Sequence, residues 1–156
     1  MIPGNILSVF RHHYSTHPLI TAIDSAGTAA YHTGSDPDPR SLATLRAHGI
    51  TAYSHSARQV READFLAFDW IVGMDRENVA DLRKVREKVV RKRKGKGGGE
   101  GEGVARVGLW GDWGGQRGEV VVDPYYGADT GFEVAFEQMG RFGKGFVKVL
   151  EEGGLE

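Results

Sequence analysis

The most constraining pattern in this chain is an alternation of short apolar runs with helical signals. Leu19–Ala26 is an apolar run of strand length that ends in the turn Gly27-Thr28. Asp38-Pro39-Arg40 then opens a helix, because an aspartate can cap and a proline suits the first helical position. Leu42 and Leu45 share one face of that helix, and Gly49 ends it after His48. Phe68–Met74 is a second strand candidate, and Asp75 caps a helix carrying Val79, Leu82, Val85 and Val89. Val104–Leu109 is a third strand, with Val120–Val122 as a short extended piece. The last helix is the clearest element. Thr130-Gly131-Phe132-Glu133 has the spacing of a capping box, and Phe132, Phe136, Met139, Phe142, Phe146, Val149 and Leu150 form one apolar stripe.

Strands that alternate with helices imply an α/β layer fold with a mainly parallel sheet, whose ligand site lies at the carboxyl ends of the strands. One domain is expected over residues 1–156. Its one low-complexity tract is Arg91–Gly103, where closely spaced glycines, each costing about 1 kcal/mol in a helix, predict a basic, Gly-rich surface loop. The basic residues from Arg83 to Lys96 have no interleaved aromatic rings on which bases could stack, so a solvated face is expected there rather than a nucleic-acid site. A net charge of -1 adds no global pull toward nucleic acid or an anionic membrane. No apolar run reaches the roughly 20 residues of a bilayer span and no signal-peptide core is visible, so a cytoplasmic location is the expectation. His13 and His17 share a helical face without a third ligand nearby, so neither a metal nor a cofactor is expected.

The sequence contains no cysteine. This excludes disulfides, thiolate metal sites and every mechanism with a cysteine nucleophile. One motif still suggests chemistry. Asp123-Pro124-Tyr125-Tyr126-Gly127 sets a carboxylate beside two aromatic rings after an apolar run, which suits a general acid next to an aromatic substrate or, equally in kind, an ordinary Asp-Pro turn.

Asp123–Gly127 resembles the general-acid loop of the low-molecular-weight protein tyrosine phosphatases of eukaryotic type. Other segments match that family in its order: Ile23–Thr28, Asp36–Arg40, His48–Ile50, His55–Val60, Asp64-Phe65, Phe68–Ile71 and Met74–Asn78. The resemblance runs from about Val9 to Phe146. It implies a three-layer, doubly wound parallel sheet and hydrolysis of phosphotyrosine monoesters on proteins. It also implies a role for Asp123 as the acid that protonates the leaving phenolate. Tyr126 and Tyr31 become candidates for rings flanking the substrate, Tyr31 equally for a packing role. His55 matches a histidine that hydrogen-bonds to the loop asparagine, here Asn5, although a capped loop histidine is the competing reading. Tyr125 and Tyr126 are candidate phosphorylation sites by the same match.

The family's defining motif, Cys-x-Gly-Asn-x-Cys-Arg-Ser, wraps a phosphate in backbone N–H groups while its arginine forks onto two oxygens and holds the cysteine as a thiolate. Here only Gly4-Asn5-Ile6 corresponds to it, with Ile2 at the nucleophile position and Ser8 at the arginine position. The pattern resumes at Val9-Phe10-Arg11, so a block between Ile6 and Val9 is missing. The family's first strand also has no counterpart, since Met1–Pro3 spans only about 10 Å against roughly 17–20 Å for a strand. The expectation is a chain without phosphatase activity and without phosphotyrosine binding. Either it is an incomplete or alternatively spliced form of an active phosphatase, or it is a non-catalytic relative that binds other proteins.

Overall fold

A computed structural model describes residues 5–28, 39–51, 58–95, 99, 101–121 and 130–154. Its elements are α1 (Asn5–Tyr14), α2 (Pro39–Ala47), α3 (Asp64–Ala67), β1 (Trp70–Gly73), α4 (Arg76–Lys94), β2 (Arg106–Leu109), a 3-10 turn (Trp110–Trp113) and α5 (Thr130–Glu151). β1 and β2 pair in parallel, Trp70 opposite Arg106 through Gly73 opposite Leu109. Parallel neighbours need a crossover, and α4 supplies it.

Two cores lie on the two faces of this sheet. One joins Val9 of α1, Leu45 of α2, Trp110 and the α5 residues Met139, Phe142 and Phe146, with Trp70 and Val72 packed against it. The other joins Phe65 of α3, Leu82 and Val89 of α4, Val104 and Ala105, with Ile71 and Val107 packed against it. The split follows from strand geometry, since successive side chains of β1 point to opposite faces. An α/β fold with helices on both faces of a parallel sheet results.

The helices begin and end for local reasons. Asp75 caps α4 through its Oδ1, which accepts a hydrogen bond from the Asn78 N–H at 2.7 Å. At the end of α2 the chain turns at Gly49, whose φ of 78° is easy only for a residue without a side chain. The apolar stripe of α5 is realised, with Phe132, Met139, Phe142 and Phe146 buried. The expected capping box is not. Thr130 is already helical, and the Glu133 carboxylate lies 2.8 Å from His48 Nε2, while the His48 ring stacks on Phe136.

Two further expectations change. Arg91–Lys94 are the last turn of α4 rather than loop, since the helix stops only at Gly95, where glycine spacing becomes too dense. Leu19–Ala26 forms no strand. It is an irregular, partly exposed segment that starts in a turn, with Leu19 53 % exposed, and the bridge nearest to it is an isolated one from Gly27, just beyond its end, to Gln59. Strand identity requires a hydrogen-bonding neighbour, and among the described residues no backbone bond joins this segment to β1.

Close backbone approach decides one position on α5. A Cβ at Gly145 would collide with the carbonyl oxygen of Trp113, whereas a Cβ at Gly140 would meet nothing. Gly145→Ala is therefore expected to cost about 3 kcal/mol and to lower Tm by roughly 6–12 °C. Gly140→Ala should gain up to about 1 kcal/mol through helix propensity. Thermal denaturation of the two variants beside the parent checks both signs.

Candidate active site and its family

Asp123, Tyr125, Tyr126, Tyr31, His55 and Gly4 lie outside the described residues. Asn5 and Ile6, read from the sequence as remnants of a phosphate loop, fall in the first turn of α1. What the structure does show is the frame around these positions. Segment 119–121, which leads into the Asp123 loop, is tied to the carboxyl end of β1 by a hydrogen bond from Val121 N–H to the Met74 carbonyl at 2.9 Å. The next described residue is Thr130, the first residue of α5. Asn78 Oδ1 accepts from the Met74 N–H at 3.4 Å, so the start of α4 is fixed to the same strand end.

The stem is also clamped by charge. Arg141 on α5 donates from Nη1 and Nη2 to the two Glu119 carboxylate oxygens, both at 2.7 Å, and again from Nη1 to the Gly114 carbonyl. Gln138 adds hydrogen bonds to Glu119 and to the Val120 carbonyl. The Arg141 hydrogen bond, opposed by desolvation and helped by Gln138, holds the Glu119 carboxyl below its usual range, and Glu119 in turn raises the guanidinium. A fork onto two carboxylate oxygens fixes direction as well as distance, so the segment entering the Asp123 loop has one orientation.

A second fork sits across the sheet. Arg58 donates from Nη1 and Nη2 to both oxygens of Asp64, and from Nε and Nη2 to Asp24. It thereby joins the Leu19–Thr28 segment to α3. Desolvation raises the Asp64 carboxyl, but hydrogen bonds from Arg58 and the Arg61 N–H outweigh it, and the net shift is downward. The sequence had these residues inside recognisable segments without a role for the side chains. Partners 34 and 22 positions apart carry no periodic signal.

The same architecture occurs in solved structures. A Drosophila arginine phosphatase superimposes with a TM-score of 0.78 at 22 % identity over 94 % of this chain and 88 % of the other, which is a likeness of fold. A protein tyrosine phosphatase from Entamoeba histolytica matches with a TM-score of 0.75 at 27 % identity over 96 % and 88 %. The fold class is thus that of the small α/β phosphatases. The family model for low molecular weight phosphotyrosine protein phosphatase matches residues 8–154. The low molecular weight phosphotyrosine protein phosphatase of Sus scrofa is 35 % identical, covering 81 % of this chain and 72 % of that protein. Its Saccharomyces cerevisiae counterpart is 33 % identical over 90 % and 83 %. The chain belongs to the low molecular weight phosphotyrosine protein phosphatase family, and it has no cysteine to serve as nucleophile.

Asp64 and Glu119 give this frame a pH dependence of definite sign. Both folded-state values are depressed, so the unfolded chain binds more protons as acid is added. Their stabilisation is complete above about pH 5 and is lost as pH falls through the folded values, below about pH 4. Tm measured from neutral to acidic pH should decline in that window. Glu119→Gln should lower the neutral-pH Tm by roughly 2–4 °C, one charge-assisted bond discounted for exposure, and should flatten part of the decline.

Proposed function

We propose that this chain is a catalytically silent form of a phosphotyrosine phosphatase. The observation that carries the reading is the absence of cysteine from all 156 residues. Phosphoryl transfer in this family's manner needs a nucleophile that becomes covalently phosphorylated, and electrostatic donors that stabilise the transferring group. Ser8 does not replace the cysteine. It stands at the arginine position of the motif, within α1, and a phosphate on it would lack the arginine fork. With no phosphoenzyme to form, a proton held by Asp123 has no leaving group to meet.

The departures from the motif sit together, at Ile2, at Ser8 and in the gap between Ile6 and Val9, while Asp123–Gly127 keeps the general-acid sequence. Gradual decay after loss of activity would scatter substitutions over the whole site. A block removed in one step suits an incomplete or alternatively spliced form of an active phosphatase better than a long-established binding module. The genomic sequence upstream of the Met1 codon and around the Ile6 codon tests this directly. Unread sequence there that encodes Cys-x-Gly-Asn-x-Cys-Arg is expected, and its absence from both places overturns the spliced-form reading.

The activity prediction is separate. Purified protein incubated with p-nitrophenyl phosphate at mildly acidic pH should show no turnover above background. Turnover that tracks the protein and disappears in Asp123→Asn would refute it. In titration calorimetry, phosphate and a phosphotyrosine peptide should bind more weakly than about 1 mM, which is only about 4 kcal/mol of binding free energy.

A further inference from the structure

Charge is unevenly distributed along this chain. Helix α4 carries nine basic and three acidic residues, a net +6, within a chain whose net charge is −1, so all other residues together carry −7. A whole-chain value near zero therefore conceals a strong local field. At physiological salt charges act over about 8 Å, so a partner at this helix meets the local value and not the total.

The helix macrodipole favours cations only in the last turn, which accounts for Arg91–Lys94. It does not account for Arg83, Lys84, Arg86 and Lys88, which stand further back. Two of the basic residues serve the fold itself. Arg86 donates from Nε to the Ala105 carbonyl at 2.8 Å, and Arg93 lies against Gly103. The other six from Arg83 onward (Arg83, Lys84, Lys88, Arg91, Lys92 and Lys94) are exposed along about 16 Å of helix. Among the described residues three carboxylates belong to the same face. Asp81 pairs with Lys84, one Glu62 carboxylate is shared by Lys88 and Lys92, and Glu87 is exposed beside them. The face keeps a net +3, and Arg83 and Arg91 make no ion pair with a described residue.

The shape and chemistry of this face select among anionic partners. Leu82 and Val89 bury the opposite side of α4, so the basic side is a convex ridge. The exposed residues of the ridge include no aromatic ring for a nucleic-acid base to stack on. Leu66, one turn beyond Glu62, is 52 % exposed. An acidic peptide or a nucleic acid would leave that leucine in water, whereas a lipid interface takes up both an apolar group and the aliphatic stems of lysine and arginine.

We propose that the outer face of α4 docks on an anionic lipid surface, with the six exposed basic side chains among the headgroups and Leu66 at the margin of the contact. The helix starts at the carboxyl end of β1 and returns to the amino end of β2, so its basic half lies toward the amino ends of the strands. Docking there leaves the opposite end of the sheet, where Val121 meets Met74, uncovered. The proposal does not depend on whether the chain has lost catalysis.

The test sediments the purified protein with vesicles of phosphatidylcholine, with and without phosphatidylserine. Binding is expected only with phosphatidylserine, and it should disappear as salt rises from about 0.1 M to about 1 M, where the Debye length falls from about 10 Å to about 3 Å. Each basic residue near an anionic surface is worth about fivefold in partitioning, so Arg83→Gln combined with Arg91→Gln should weaken binding about 25-fold. Glu62→Gln should tighten it, by up to about fivefold, because a carboxylate leaves the face. Leu66→Ser should weaken binding to vesicles and leave binding to soluble polyglutamate unchanged. Equal binding to both kinds of vesicle, or to neither, overturns the proposal, as does indifference to the double arginine substitution in protein whose Tm is unchanged. Polyglutamate binding as tight as vesicle binding at matched charge would assign the face to an acidic polypeptide and overturn it as well.

Discussion

β1 is four residues long, and both cores meet on it. Trp70 and Val72 close the core built by α1, α2 and α5, while Ile71 closes the core built by α3 and α4. Burying one large apolar side chain is worth about 1.5–3 kcal/mol, so neither half of the molecule has enough apolar surface to spare. The helices are therefore held in two layers through one strand and its parallel partner. Gly73 is pressed against Val79 and Asn78, and a Cβ there would meet Val79 backbone and side chain. That contact sets how closely the start of α4 approaches the strand end, and with it the position of the cap at Asp75.

The strand also explains the character of the surroundings. One edge of β1 is satisfied by β2, which follows the α4 crossover. The other faces a segment that has the composition of a strand without its hydrogen bonds. Leu19–Ala26 instead takes what support is available. The Ile23 carbonyl accepts from Arg11 at 2.6 Å, Gly27 exchanges backbone bonds with Arg58 and Val60, and Asp24 shares the Arg58 guanidinium. These fasten the segment at points. They do not supply the continuous pairing that makes a strand.

Much of this architecture was legible in the sequence, because apolar periodicity is a local property. The stripe on α5, the strand at Phe68–Met74 and the helix capped by Asp75 all rest on spacings within a few residues. Reading failed where the deciding partner is distant. The apolar composition of Leu19–Ala26 announces a strand, but only a neighbour can complete one. Thr130–Glu133 has the letters of a capping box, yet Glu133 is drawn to His48, 85 positions away in sequence. Arg91–Lys94 stay helical because a helix that has already run from Arg76 to Val90 extends one residue at a time more easily than it stops. Of the candidate site, Asp123–Gly127 resembles the family's general-acid loop as a motif, and it lies outside the described residues. The Arg141–Glu119 clamp that orients its stem was not, since nothing in either residue's local pattern announces the other.

Catalytic machinery and the frame that aims it are physically separable here. A general acid must be aimed within hydrogen-bond reach of the group it protonates, so its loop needs stems with fixed directions. Those stems are fixed by Val121 on Met74, by Arg141 on Glu119 and by the start of α5, none of which involves the nucleophile. The nucleophile depends on a different part of the chain, at the start of α1, where backbone N–H groups converge only if the loop has the right residues in sequence. A chain without cysteine lacks that nucleophile, while the contacts that hold segment 119–121 to the Met74 carbonyl and to Arg141 do not depend on it.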